Sequence, residues 1–200
     1  RTGANVAGAR PLRANLSLTY RGVTLMGSGF WVEPNDSLVQ EEPAALKPLR
    51  NGRDVVDRPR GVYAVDFFGL SAEQARESFP AAFQRVLTGV KPERDQSERK
   101  AYREKWWQFA EARPDMRQAL TGLSRYFVTS MTAKHRTFVQ LPPDVLSDQG
   151  LIVFASDDAL FQGVLSSQVH VQWALVAGGR LGVGNDPRYN NSRCFETFPF

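Results

Sequence analysis

The densest concentration of polar recognition side chains lies near the end of the sequence, in GGRLGVGNDPRYNNSRCFETFPF. Arg180, Asn185, Asp186, Arg188, Asn190, Asn191 and Arg193 fall there within fourteen positions, interleaved with glycines and one proline. These residue types can read the edges of base pairs. Arg pairs bidentately with guanine, Asn pairs with adenine and Asp accepts from cytosine, each good pair contributing about 1–3 kcal/mol of discrimination. Two other segments carry matching charge. In KPLRNGRDVVDRPR, Lys47, Arg50, Arg53, Arg58 and Arg60 face only Asp54 and Asp57, a local excess of three positive charges suited to phosphates. Asn51 and Arg53 also have the donors and acceptors to address base edges. In TAKHR, Lys134, His135 and Arg136 lie between two expected strands. On spacing alone, ordinary solvent exposure accounts for the charge in both segments equally well.

Reactive arrangements are sparse by comparison. GVGNDP follows an expected helix end rather than a strand, and it lacks the third glycine and the later acidic residue of a dinucleotide-binding loop. Its glycines suit a tight exposed loop instead. Gly27-Ser28-Gly29 lacks the spacing of a nucleophile elbow. His135 and His170 miss the spacing of a zinc hydrolase. Glu98-Arg99-Lys100 spells the ExK of metal-dependent nucleases, but within a heavily charged segment, and the Pro-Asp pairs at Asp115 and Asp144 come after it rather than before. The (N/D)PP(Y/F/W) turn of an amino-methyltransferase does not occur, although FETFPF has a superficial likeness. The expectation is a non-enzymatic segment without catalytic residues, cofactor or metal.

The elements that must position these groups are mixed. Residues 16–32, LSLTYRGVTLMGSGFWV, alternate apolar and polar positions and break at glycines, which favours a hairpin or short strands. A strand is expected from Val62 to Phe67. Ser71 is the expected N-cap of the following helix, which Pro80 interrupts. DQSERKAYREKWWQFA reads as a further helix, with Trp106 and Trp107 as packing residues. A short helix is expected from Pro114 toward Leu120. RYFVTSM, HRTFVQL and LIVFAS read as strands through their β-branched and aromatic content. Ser156-Asp157-Asp158 is placed to cap a long helix running to Gly178 and Gly179. Tyr189, Phe195, Phe198 and Phe200 read as anchors to a core. The expected fold class is α+β (mixed α/β), a twisted β-sheet with interspersed helices, a loop-rich edge and a long helix near the C-terminus.

Two hundred residues with 42% hydrophobic content suit one domain with a substantial core. A formal charge of +4 and a pI near 9.5 make an anionic partner plausible and are equally compatible with an ordinary soluble domain. The one cysteine, Cys194, excludes an internal disulfide framework and reads as a small buried hydrophobe, so a reducing, cytoplasmic setting is expected. No apolar run approaches the roughly 20 residues a membrane helix requires. Both ends read as cut from a longer polypeptide, with Arg1 first and FETFPF last.

The combination of LKPLRNGRDVVDRPRGVYAVDF, VKPERD, REKWWQFAEARPDMR, TAKHR, GVLSSQVHVQWALVAGGRLGVGNDPRY and NNSRCFETFPF, in that order, resembles the target-recognition domain of MmeI-like (type IIG/IIL) single-chain restriction-modification enzymes. The resemblance covers most of the chain from Leu46 onward, while residues 1–45 match loosely through YRG and GSGF and form a lead-in to the same domain. It implies a module that grips double-stranded DNA and selects the site. The parent it implies is an S-adenosylmethionine-dependent adenine-N6 methyltransferase, often fused to a Mg-dependent endonuclease, with catalysis in upstream domains. It also implies that specificity is set in the loop from Arg180 to Arg188, just ahead of YNNSRCFETFPF. The competing readings are a scaffolding domain that binds no DNA and, less favoured, a self-contained nuclease.

Overall fold

The computed structural model describes residues 6–181 and 186–200. Its short strands are β1 (Thr19–Arg21), β2 (Trp31–Val32), β3 (Leu46–Arg50), β4 (Tyr63–Val65), β5 (Tyr126–Ser130), β6 (Val139–Leu141), β7 (Leu146–Ser147), β8 (Leu151–Phe154), β9 (Gly179–Leu181) and β10 (Asp186–Arg188). Four of them form an antiparallel sheet in the order β1-β8-β5-β6. A second sheet runs β2-β4-β3-β7, with the β3–β7 pair parallel, and β9 and β10 form a two-stranded ribbon. The helices are α1 (Leu38–Glu41), α2 (Gly52–Val56), α3 (Ala72–Ser78), α4 (Pro80–Gly89), α5 (Lys91–Asp95), α6 (Lys100–Glu104), α7 (Pro114–Leu120), α8 (Ala159–Ser166) and α9 (Gln168–Ala177). This is an α+β fold.

The apolar runs YFVTS and LIVF become β5 and β8, the two central strands of the first sheet, and every residue in them is buried. Alternation of side chains along a strand sends successive residues to opposite faces. Tyr126, Val128, Leu151 and Val153 enter a core shared with Phe30, Leu49, Val65, Phe83 and Val86. Phe127, Ile152 and Phe154 enter a second core with Leu165, Ala174, Tyr189, Cys194 and Phe195. A strand covered on both faces has no polar side to display, which is why these runs read as unbroken.

The second core is strongly aromatic. Phe195 meets Phe154 edge-on at 5.4 Å, and Phe198 meets His170 at 4.7 Å. Phe200 is exposed on one side but stacks on Phe161 at 5.2 Å. The FETFPF tail therefore anchors as expected. Cys194 is fully buried, its thiol beside the Ala174 carbonyl at 3.6 Å. Burial holds the His170 imidazole below its ordinary pKa and therefore neutral at pH 7. Its Nδ1 faces the Leu165 carbonyl at 2.7 Å, which can only accept, leaving Nε2 to accept from the Tyr189 hydroxyl at 3.1 Å. The lead-in closes on this same tail. Buried Asn15 donates to the carbonyls of Phe195 at 3.0 Å and Phe198 at 2.7 Å, and the Leu12 N–H donates to the Glu196 carbonyl at 2.7 Å.

Several expected elements form as read. Ser71 caps α3 in a reciprocal box with Gln74, and Pro80 stops that helix and opens α4 at its first position. In one segment the structure selects between two expected forms, and three others differ. Residues 16–32 give short strands but no hairpin, because β1 pairs with β8 and β2 with β4. Between them Met26 and Gly27 take positive φ, and buried Arg94 of the VKPERD string fixes that bend by donating to the carbonyls of Leu25 at 2.9 Å and Met26 at 3.0 Å. The helix expected over residues 95–110 shrinks to α6. Trp106 leaves the spiral to meet Phe83 at 5.3 Å, and the Trp107 indole donates to the Leu70 carbonyl at 3.0 Å, so core packing and a part-buried hydrogen bond replace further helical turns. The HRTFVQL strand is confined to β6, since Arg136 turns inward before it.

The long C-terminal helix is divided into α8 and α9 at Ser167, which turns extended and caps α9 through the His170 N–H. Asp158 caps α8 as expected. Gly178 does end α9, but at an ordinary φ of −74°. The need for glycine is close approach: a Cβ there would lie 2.4 Å from the Arg188 carbonyl oxygen of β10.

Candidate nucleic-acid interface

Three segments distant in sequence converge beside the end of β5. The first is α2. Asn51 caps it, its side-chain oxygen accepting from the N–H groups of Arg53 at 2.9 Å and Asp54 at 3.2 Å, while Asp54 returns the bond to the Asn51 N–H at 3.0 Å. Asp54 is buried and paired bidentately with Arg60, at 2.9 Å to Nε and 3.0 Å to Nη2. Burial pushes its carboxyl up, but the Arg60 hydrogen bond, the Asn51 and Arg60 backbone N–H groups and the Arg60 charge outweigh that and bring its pKa down to about 2. Asp54 thus neutralises Arg60 and fastens the loop. Gly52 sits against Ser130, where a Cβ would lie 2.9 Å from the hydroxyl oxygen, so the helix rests directly on β5.

The second segment is the β5–β6 connection. Facing α2 across it is a cleft of about 680 Å³, lined on one side by Arg53, Val55 and Val56 and on the other by Thr132, Lys134 and His135. Arg53, Lys134 and His135 are exposed, and among the described residues none of them forms an ion pair. Exposed Arg58 is likewise without an ion pair among those residues. The cleft therefore has partly apolar walls and a cationic rim, an arrangement that attracts an anionic polymer.

The third segment is the ribbon of β9 and β10. Thr132 bridges to Arg188, the Tyr189 N–H donates to the Met131 carbonyl at 2.7 Å and the Ala133 N–H donates to the Pro187 carbonyl at 3.3 Å. The ribbon register sets Asp186 opposite Leu181 and Pro187 opposite Arg180, so Asp186 and Arg188 share one face of the ribbon and Arg180 belongs to the other. Arg188 is poorly satisfied there: among the described residues its Nη2 reaches only the Met131 sulfur at 4.0 Å, and its buried Nε has no hydrogen-bond partner. A guanidinium in this state gives up little by turning to a better acceptor. Asn185 lies outside the described residues.

The remaining expected residues are placed differently. Arg136 turns its guanidinium away from solvent onto Thr129, Ser130 and Pro187 and over the Tyr189 ring. Arg50 donates to the Leu49 carbonyl at 3.0 Å. Asn190 accepts from the Ser192 N–H at 3.1 Å, capping a wide helical turn over Asn191–Phe195, and Asn191 reaches the Thr19 hydroxyl at 3.4 Å. Lys47 borders a separate hollow of about 310 Å³ with Phe68, Leu120 and Asp144. Arg193 borders another, against Val6, Ala9 and Pro11. Reading residue types one by one could not separate the inward-turned Arg136 and the capping Asn190 from the exposed basic residues. One signal was present: Asn51 and Asp54, three apart, form a capping pair, and Val55 and Val56 next to it are the cleft wall.

Among the described residues no three His, Cys, Asp or Glu side chains gather where a metal ion could be held. No described helix is long and apolar enough to cross a membrane.

No curated protein sequence matches the chain. Among solved structures it is similar to one described as the type IIL restriction-modification enzyme MmeI in complex with DNA, at 19% identity and a TM-score of 0.78, covering 100% of this chain and 27% of that one. The likeness extends the shared fold through the lead-in, and the chain spans about a quarter of the length of that enzyme. The family model for the MmeI target recognition domain matches residues 67–200. The chain belongs to the family of MmeI target recognition domains.

Proposed function

We propose that this chain is a sequence-specific double-stranded-DNA recognition module of a single-chain restriction-modification enzyme, positioning its target for chemistry performed elsewhere in a longer, cytoplasmic polypeptide. The observation that carries the reading is the convergence of α2, the β5–β6 connection and the β9–β10 ribbon, with Arg53, Lys134 and His135 around one cleft and Arg188 beside it. The DNA-bound enzyme of similar fold supports it. In this reading Arg53, Arg58 and Lys134 neutralise phosphates and His135 hydrogen-bonds to the backbone beside them, which supplies affinity without sequence information. Asp186 and Arg188 on one face of the ribbon address base edges, and Arg180 and Asn185, close to them in sequence, are assigned the same role. Asn51, Asn190 and Asn191 hold the framework through the hydrogen bonds described above. Lys47 and Arg193, bordering other hollows, lie outside the central contact.

Catalysis belongs to the rest of that polypeptide: adenine-N6 methyl transfer from S-adenosylmethionine in an upstream domain and, where an endonuclease is fused, Mg-dependent cleavage. The module itself takes no cofactor. The test is fluorescence anisotropy of the chain with a randomised duplex across a salt series. Log affinity should fall linearly with log salt, and Arg53→Gln with Lys134→Gln should reduce the slope by about 2, because each phosphate contact contributes about 0.9. An absence of binding at low salt, or an unchanged slope in the double variant, would count against the reading.

A further inference from the structure

Arg136 occupies an unusual position for a residue of a cationic loop. It follows Lys134 and His135, both exposed, yet its guanidinium is directed inward. One terminal nitrogen donates to the Thr129 hydroxyl at 3.1 Å and to the Ser130 carbonyl, and the other donates to the Pro187 carbonyl at 3.2 Å. The guanidinium carbon lies 5.1 Å from the centre of the Tyr189 ring. Among the described residues no carboxylate pairs with it. Burial accordingly shifts its pKa downward. Desolvating a cation without a counter-charge is costly, and an apolar side chain would fill the space at less cost. A planar fork with several donors in fixed directions is what no apolar side chain supplies.

The two elements joined by that fork explain its use. Thr129 and Ser130 end the central strand β5, while Pro187 and Tyr189 lie immediately before and after Arg188. The ribbon is otherwise tied to this connection by few bonds, chiefly Tyr189 to Met131 and Ala133 to Pro187. Proline has no N–H with which to add a rung. Arg136 therefore grips the backbone on one side of Arg188 and the aromatic ring on the other, and Tyr189 is fixed in turn by His170 at 3.1 Å. This grip is partly withdrawn from solvent and falls on both chain neighbours of Arg188.

We infer that Arg136 is a positioning residue for DNA-sequence selection, locking the β9–β10 ribbon to the central sheet so that Asp186 and Arg188 are presented in one pose, without itself touching DNA. This rests on the DNA-recognition reading above.

The test separates positioning from phosphate contact. Duplexes retained by the wild-type chain from a randomised pool supply a preferred sequence, and affinities for it and for a scrambled duplex are measured across a salt series. Arg136→Met, similar in bulk but without charge or fork, should lower the preference for the selected duplex at least tenfold. Its affinity for the scrambled duplex and its salt slope should match wild type. A slope reduced by about 1 would make Arg136 a phosphate contact and overturn the inference. A preference equal to wild type would overturn it as well. Should Arg136→Met fail to give a cooperative thermal transition, Arg136→Lys decides: it keeps the charge but cannot bridge three acceptors, so a lost preference supports the inference and a retained one overturns it. A wild-type chain that shows no salt-dependent duplex binding at all would instead sink the recognition reading, and this inference with it.

Discussion

Replacing Asp54 with Asn removes the one charge that fastens the α2 loop. The carboxylate accepts from the N–H groups of Asn51 at 3.0 Å and Arg60 at 3.1 Å and from two Arg60 side-chain nitrogens at 2.9 and 3.0 Å. These bonds more than offset the effect of burial and take its pKa from an ordinary 3.8 to about 2. A carboxyl whose folded pKa lies below its unfolded value adds stability that is present above about pH 4 and is lost as pH falls through about 2. At about 1.4 kcal/mol per pH unit, the gap corresponds to about 2 kcal/mol. The Arg60 side chain is 34% exposed, so solvent screening lowers this toward about 1 kcal/mol. Urea unfolding of wild type and Asp54→Asn should therefore differ by about 1–2 kcal/mol at pH 7, with the same m-value. All other carboxyls are common to both proteins, so the difference isolates this group, and it should shrink between pH 4 and pH 2. A difference that persists undiminished to pH 2 would refute the assignment of Asp54 as an ionised clasp.

Two further substitutions probe the frame. Asn15→Ala leaves the buried carbonyls of Phe195 and Phe198 without the donor that ties the lead-in to the tail, and should cost about 1–3 kcal/mol in denaturant unfolding. Gly178→Ala tests the approach of α9 to β10. At an ordinary backbone angle, alanine for glycine stabilises by about 0.4–1 kcal/mol, but here the new Cβ would lie 2.4 Å from the Arg188 carbonyl oxygen. The unfolding midpoint should drop, by about 1–3 kcal/mol in free energy, and a rise would show that the contact yields easily.

What was legible in the sequence follows from how local each cause is. The unbroken runs of β5 and β8, the Ser71 cap and the aromatic tail each declare themselves through neighbouring residues, and all three form. The segment over residues 95–110 does not, because Trp106 and Trp107 are withdrawn from a helix by Phe83 and Leu70, distant in sequence. Partner choice of β1 and β2 is equally non-local, since the strands they join, β8 and β4, come later in the chain. At the candidate site the residue types were readable but their orientations were not. Lys134, His135 and Arg136 are consecutive basic residues, yet the first two face solvent and the third faces Pro187 and Tyr189. Only the tertiary placement of β10 beside β5 separates them.

The most direct test of DNA-sequence selection by this chain is sequencing of the duplexes it retains from a randomised pool, for wild type and for Arg188→Ala. Among the described residues the Arg188 guanidinium has an orphaned Nε and a single contact, to a sulfur, so its removal leaves the fold little changed while withdrawing one reader from the ribbon. The expected result is a single enriched motif for wild type and the same motif relaxed at one base pair for the variant, with the discrimination there reduced by about 1–3 kcal/mol. A wild-type pool that shows no enrichment, or a variant whose motif is unchanged at every position, would contradict it.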